Sequence, residues 1–259
     1  MRHLSLFAGI GGMELGFERA GMVTVGQVEN DPYCVRVLEK HWPDVWRWGD
    51  IRTLMPRDMP EADVWSAGFP CQPTSVAGLR KGADDDRWLW PEVARLVGVV
   101  RPGWLVLENP PGILSLGFGR IADDLARLRY DFCWQVLSAC MFGAPHTRER
   151  VFVVAVPAGW GTRMETHSLH GLFRGAADEQ ASLLVASDDW AVTPEGRVAG
   201  ARMEGWEHTV GYAAPVAFLP GVVDGLSRRV DTTRRMKALG NAVVPQVAEW
   251  LGRRIMEAL

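Results

Sequence analysis

Cys71 stands between Pro70 and Gln72 in the run Ala67-Gly68-Phe69-Pro70-Cys71-Gln72-Pro73. Prolines on both sides keep the thiol out of regular structure, a poor place for a core residue and a good one for an exposed nucleophile. The thiolate is the reactive form, so such a cysteine needs a positive neighbour or a helix N-terminus. Taken alone it is more often an ordinary loop cysteine, but other segments can supply partners. Glu108-Asn109-Pro110 follows the apolar run Trp104 to Leu107, where partial burial would keep the acid protonated or strongly hydrogen-bonding. Its alternative is a satisfied strand-end acid. His146-Thr147-Arg148-Glu149-Arg150 precedes another apolar run, and in an extended segment Arg148 and Arg150 point to the same side. Two arginines aimed together suit a phosphate, or the neighbourhood of a carboxyl or a pyrimidine carbonyl, if they are not simply a charged strand edge.

A second set of residues has the pattern of a nucleoside site. Phe7-Ala8-Gly9-Ile10-Gly11-Gly12 lies between a strand-like run and a helix. Glycines there permit a tight turn and let a ligand lie against bare backbone. Glu29 ends the second strand, where an acid can bond ribose hydroxyls, and Asp50 ends a possible third, where it can face an adenine edge. Each acid alone is as readily a turn or cap residue. The three in strand order point to a nucleoside-bearing cofactor.

The elements that must position these residues alternate strand and helix over the first 156 positions, as a parallel sheet with crossover helices requires. Strands are expected at residues 4–7, 23–29, 64–67, 104–108 and 151–156, the last a clear central strand because it is β-branched and almost uninterrupted. Helices are expected at 13–20, 32–41, 90–100 and 121–128, with Pro32 in the first turn of the second. After Pro157 periodicity weakens, and regular helix returns only over 243–259, where Val247, Leu251, Ile255 and Leu259 recur every fourth position. The expected division is a catalytic, cofactor-binding domain over 1–157, an irregular lobe over 158–230, and a C-terminal segment over 231–259 that returns to the first. Residues 72–87, with Gly78 and Gly82, read as a loop able to close over a substrate, and Arg80, Lys81 and Arg87 as phosphate contacts or ordinary loop charges.

Bulk composition narrows the class. The chain has 259 residues, 47% hydrophobic and 23% charged, and no apolar run approaches the roughly 20 residues of a membrane span. Four cysteines, Cys34, Cys71, Cys133 and Cys140, form no CxxC pair, so a reducing cytoplasm and no metal site are expected. The net charge of −3 excludes a uniformly basic coat but leaves room for a local basic cleft.

Together these residues resemble one family, the cytosine-C5 DNA methyltransferases. Phe7-x-Gly9-x-Gly11 resembles its first motif, Glu29 its ribose-binding acid and Asp50 its adenine-contacting acid. Gly68-Phe69-Pro70-Cys71-Gln72 resembles the catalytic loop, Glu108-Asn109 the cytosine-holding motif, and Arg148-x-Arg150 the paired arginines. Leu239-Gly240-Asn241-Ala242-Val243-Val244-Pro245 resembles the closing motif. The resemblance implies an α/β, Rossmann-like S-adenosylmethionine-dependent sheet with a small target-recognition lobe. It implies Cys71, Glu108, Arg148 and Arg150 as catalytic residues. It implies Phe7, Gly9, Ile10, Gly11, Gly12, Glu29, Asp50, Ile51, Pro70, Asn241 and Ala242 as cofactor contacts. The implied substrate is duplex DNA, with the base flipped out of the stack, and the implied protein is a monomer. A restriction partner, phage self-protection and a solitary enzyme are all compatible roles. Arg163, Arg174, Arg197 and Arg202 are candidates for guanine or phosphate contacts.

Two positions depart from the family pattern. Pro110 and Pro111 follow Glu108-Asn109 where valine is usual, and proline lacks the backbone N–H and fixes φ beside Glu108. His146 stands where many members carry glutamine. The same motifs also fit methylation of tRNA, or a catalytically idle DNA-binding protein of this fold.

Overall fold

A computed structural model of the chain describes residues 1–70, 88–144, 146–160, 169–173, 191–192, 198–199 and 229–258. Cys71, the expected loop over 72–87 with Arg80, Lys81 and Arg87, and the candidates Arg163, Arg174, Arg197 and Arg202 lie outside the described residues. Seven strands form one sheet: β1 (Arg2–Leu6), β2 (Val23–Val28), β3 (Trp46–Trp48), β4 (Val64–Ala67), β5 (Trp104–Asn109), β6 (Tyr130–Leu137) and β7 (Arg150–Pro157). Their order is β3-β2-β1-β4-β5-β7-β6, with β7 antiparallel to both neighbours and the rest of the pairings parallel.

Alternation along the strands divides the interior into two layers. Leu4, Leu6, Trp65, Leu105 and Leu107 face α3 (Trp90–Val100) and α5 (Phe118–Arg127), which follows the single-turn α4 (Ile113–Leu116). Val64, Trp104, Val106 and Val154 face the other way, toward Phe17 of α1 (Gly12–Arg19) and Leu251 of α7 (Pro245–Glu257). Leu169 and Leu172 are buried in this second layer, so packing of the sheet continues past the boundary expected at 157. The two-residue strands 191–192 and 198–199 pair antiparallel with each other.

Three expectations change. The run 151–156 is buried on both faces as its sequence demands, but it is antiparallel and lies next to the edge rather than at the centre. The edge strand β6 was not expected, although Phe132, Trp134 and Val136 alternate with Cys133 and Gln135 along it. A helix α6 (Arg229–Asn241) precedes the C-terminal one, which starts at Pro245 rather than 243. Its run of Arg, Thr and Lys carries few apolar residues, so the periodic signal is faint.

Helix α2 (Pro32–His41) starts as its sequence dictates. Asp31 caps it, accepting from the N–H groups of Tyr33 at 2.8 Å and Cys34 at 3.4 Å, and Pro32 fills the first position, where no donor is needed. The close approach of α1 and α7 depends on Gly16: a Cβ there would come 2.4 Å from Ala248 Cβ and 2.5 Å from the Pro245 carbonyl oxygen. Because the opposing atoms include backbone, Gly16→Ala is expected to destabilise the fold by about 1–3 kcal/mol. A denaturation midpoint equal to wild type would mean that the two helices do not pack this tightly.

Candidate active site

The strand order reverses between β1 and β4, and a parallel α/β sheet gathers ligands at the carboxyl ends of strands around such a point. Register aligns Leu6, Val28, Ala67 and Leu107 across β1, β2, β4 and β5. One position beyond that row stand Phe7, Glu29, Gly68 and Glu108. Residues far apart in the chain thus leave the sheet side by side.

On the β1–β2 side the backbone makes a sharp turn. Phe7 has φ +62°, a conformation rare for a bulky side chain, and Gly11 at φ +88° caps α1. Glu29 latches this turn to the end of β2: one carboxylate oxygen accepts from Gly9 N–H at 2.7 Å and the other from Asp31 N–H at 2.8 Å. Each oxygen retains a further lone pair for a ribose hydroxyl. A Cβ on Gly9 would meet nothing within 4 Å, so bare backbone faces open space. That surface fits a nucleoside cofactor. Ile10, Gly11 and Gly12 line a cavity of about 720 Å³ together with Trp42, Arg148 and Ala242.

Asp50 and Ile51 are placed less openly. Trp48 O accepts the Glu29 N–H at 3.0 Å, so the end of β3 adjoins Glu29. Asp50 itself is the cap of the short turn Ile51–Thr53, and Arg52 holds its carboxylate through Nη2 at 2.7 Å and Nε at 3.0 Å. These bonds to Arg52 keep the carboxyl below the usual range. The Ile51 side chain is buried in the first core layer, leaving only its backbone to face a ligand. Pro70 is exposed at the end of its described segment, and Asn241 is exposed at the end of α6.

On the β4–β5 side Glu108 is 6% exposed and forms an ion pair with Arg150, Oε1 to Nε 2.9 Å. Burial pushes the Glu108 carboxyl up, and the guanidinium groups of Arg150 and Arg148 counter part of that rise. The segment leading to Cys71 is fixed against this acid. A Cβ on Gly68 would lie 3.1 Å from Glu108 Oε2, and Asn109 Nδ2 donates to the Phe69 carbonyl at 3.3 Å. The Phe69 ring is buried between Trp88 and Trp90, each centroid 5.6 Å away, so residues on both sides of 71–87 share one anchor. Pro110 and Pro111 leave the strand cleanly: their carbonyls accept from Ile113 N–H at 3.0 Å and Leu114 N–H at 3.1 Å.

The two arginines do not run in parallel as an extended segment would require. Strand β7 begins at Arg150, and Arg148 has φ +30°. Arg150 turns to Glu108, whereas Arg148 Nη2 donates to the Ala242 carbonyl at 2.6 Å, tying this segment to the α6–α7 turn. Burial and the nearby Arg150 pull Arg148 down to about 10, which leaves it charged at neutral pH. Sequence reasoning missed Trp42, whose ring lies so close to Gly11 that a Cβ there would come within 2.3 Å, and whose Nε1 donates to Glu18 at 2.8 Å. Its spacing of four from the buried Leu38 on α2 is the signal that would have found it.

A model of the C-5 cytosine-specific DNA methylase family matches residues 1–172. The chain belongs to this family. M.HgiCII, a Type II methyltransferase of Herpetosiphon aurantiacus, is 35% identical over 163 residues, which are 60% of this chain and 37% of the relative. M.NgoBI, a Type II methyltransferase of Neisseria gonorrhoeae, is 36% identical over 156 residues, 58% of this chain and 49% of the relative. The chain therefore spans less than half the length of these relatives. Among solved structures, a candidate DNA modification methyltransferase from an E. coli prophage superposes with TM-score 0.52 at 29% identity, over 61% of this chain and 47% of that one. The S. pombe Dnmt2 methyltransferase, at 23% identity and TM-score 0.52 over 61% of this chain and 51% of that one, shares the fold. The sheet is thus the α/β, Rossmann-like methyltransferase fold. Among the described residues no helix is long and apolar enough to cross a membrane, and no cluster of His, Cys, Asp and Glu has the makeup of a metal site.

Proposed function

We propose that this protein methylates C5 of a cytosine rotated out of duplex DNA, through a transient bond between the Cys71 sulfur and C6 of the base. The observation that carries this reading is the Glu108–Arg150 pair set against Gly68, three residues before Cys71. Cys71 lies three positions along the chain from Gly68, whose backbone is set against the acid.

C5 of cytosine is a weak nucleophile, and addition of the Cys71 thiolate to C6 breaks the aromaticity and makes C5 enamine-like. Glu108 spans N3 and the 4-amino group and stabilises the charge that develops on the ring. As a neutral acid it donates to N3; burial shifts the carboxyl toward that form, and the two guanidinium groups oppose it. Arg150 keeps the carboxyl aimed by its contact from Nε to Oε1, and Arg148 holds the α6–α7 turn. Residues 7–12, Glu29 and Asp50, with the backbone of Ile51 and with Pro70, Asn241 and Ala242, hold the cofactor. Bound there, S-adenosylmethionine supplies the electrophilic methyl group that C5 takes up. Loss of the C5 proton and of the Cys71 sulfur then restores the ring. Flipping the base costs a few kcal/mol of stacking and pairing. Residues 158–230 are assigned to reading the DNA sequence, and the protein acts as a monomer.

Incubation with labelled S-adenosylmethionine, and with either duplex DNA or tRNA, tests the reading. Label is expected in DNA as 5-methylcytosine. Label in tRNA alone would transfer the same chemistry to RNA, and label in neither, with DNA still bound, would make the protein an idle member of the fold.

A further inference from the structure

The layer between the sheet and α1 holds polar side chains that no step above uses. His3 and Ser5 share one face of β1, and register sets Thr24 and Gln27 of β2 and Ser66 of β4 beside them. His3 Nε2 lies 2.8 Å from Ser66 Oγ, which lies 3.4 Å from Ser5 Oγ. Glu14, in the first turn of α1, faces this row with the Ser5 hydroxyl beside its carboxyl. Glu14, His3 and Gln27 have no exposed surface. Neither Glu14 oxygen closes a well-formed hydrogen bond, and His3 Nδ1 and Gln27 Nε2 are also without partners.

A carboxylate without partners is costly to bury, whereas a neutral carboxylic acid is far less so. Glu14 also lies two residues beyond Gly12, where the cofactor turn passes into the helix. We propose that Glu14 is a positioning residue for the cofactor, packing the first turn of α1 against the row of Ser5, Ser66 and His3 and so fixing the 7–12 turn. This rests on the assignment of that turn to S-adenosylmethionine.

The strut acts in its neutral form. Burial drives the Glu14 carboxyl up to about 8, and two acids add to the rise, Glu18 on α1 and Glu29 after β2. On β1, burial pushes His3 down to about 3, so it brings no positive charge. On α7, which packs against α1, Glu249 is paired with Arg253 at 2.7 Å and with Arg19 at 4.0 Å. Ionisation of Glu14 above about pH 8 therefore places an uncompensated charge beneath the turn, and cofactor affinity falls.

Binding of S-adenosylhomocysteine, measured by calorimetry at pH 7 and pH 9, tests this with wild type, Glu14→Gln and Glu14→Ala. Wild type should bind about tenfold more weakly at pH 9, as one linked proton with a pKa near 8 requires. Glu14→Ala should bind several-fold more weakly than wild type at pH 7, and Glu14→Gln should rescue that loss and bind equally at both values. A Glu14→Gln protein that follows the wild-type pH slope, or a Glu14→Ala protein that binds like wild type, overturns the proposal. Wild type failing to bind at either pH would instead refute the cofactor assignment, and the strut with it. Should Glu14→Ala not fold, the Glu14→Gln slope decides. Unfolding midpoints give an independent check. A carboxyl raised from 4.5 to about 8 on folding makes wild type lose stability as pH climbs through that window, so Glu14→Gln should gain on it from pH 5 to 8.

Discussion

Changing Cys71 to serine is expected to abolish methyl transfer while leaving S-adenosylmethionine binding nearly intact. A hydroxyl gives almost no anion at neutral pH, and removal of a nucleophile from an otherwise intact site costs on the order of 10⁴–10⁶ in rate. Most of the residues proposed to hold the cofactor lie at the ends of β1, β2 and β3, whereas Cys71 follows β4, and exchanging sulfur for oxygen at 71 leaves the neighbouring Pro70 unchanged, so binding is expected to survive the loss of chemistry. A duplex carrying 5-fluorocytosine, with the methyl donor, should trap wild type as an adduct that survives a denaturing gel, because fluorine cannot leave C5 as a proton does. The other thiols give little competing signal. Burial pushes Cys34 and Cys133 up to about 12, which leaves them un-ionised and unreactive, and Cys140 sits against Ser138 Oγ at 3.1 Å. Turnover retained in Cys71→Ser, or an adduct that maps to another residue, would end the covalent account.

The sequence discloses most where a single residue type has one good structural use. The glycines of 9–12, the acid at the end of β2 and the proline-flanked cysteine each mark a strand end, and the aligned register sets those ends in one row. Strand direction is less visible. The run 151–156 is apolar on both faces whether parallel or antiparallel, and only its neighbour β6, half exposed and therefore alternating, reveals the edge. Side-chain partners are hidden more deeply. Nothing in Arg148-Glu149-Arg150 shows that the first arginine breaks from the strand at positive φ to reach Ala242. Asp50 likewise reads as a ligand acid, while Arg52, two residues on, makes it a clamped cap. Glu14 escapes notice because an acid in the first turn of a helix ordinarily faces solvent and favours the dipole. Its burial follows from the packing of α1 on the sheet and on α7, which is a tertiary fact.

Glu108→Gln is expected to lower the rate by about 10²–10⁴, the range for loss of a positioned acid, with duplex DNA still bound. Glutamine can copy the hydrogen bonds to N3 and the 4-amino group, so binding survives, but it cannot deliver a proton as charge builds on the ring. It also leaves Arg150 facing a neutral amide in a half-buried site, so unfolding must be monitored beside activity. The pH profile separates the two effects. Burial raises the Glu108 carboxyl above its ordinary value, so the neutral acid persists to higher pH than in an exposed glutamate and is lost as pH rises through the raised value. Thiolate formation at Cys71 runs in the opposite sense, gaining with pH. Wild type should therefore show a bell-shaped rate profile, and Glu108→Gln should lose the falling alkaline limb that belongs to the acid. A variant that keeps the full wild-type rate would remove Glu108 from the chemistry. A slow variant whose profile retains the same bell would reduce it to the role of holding Arg150.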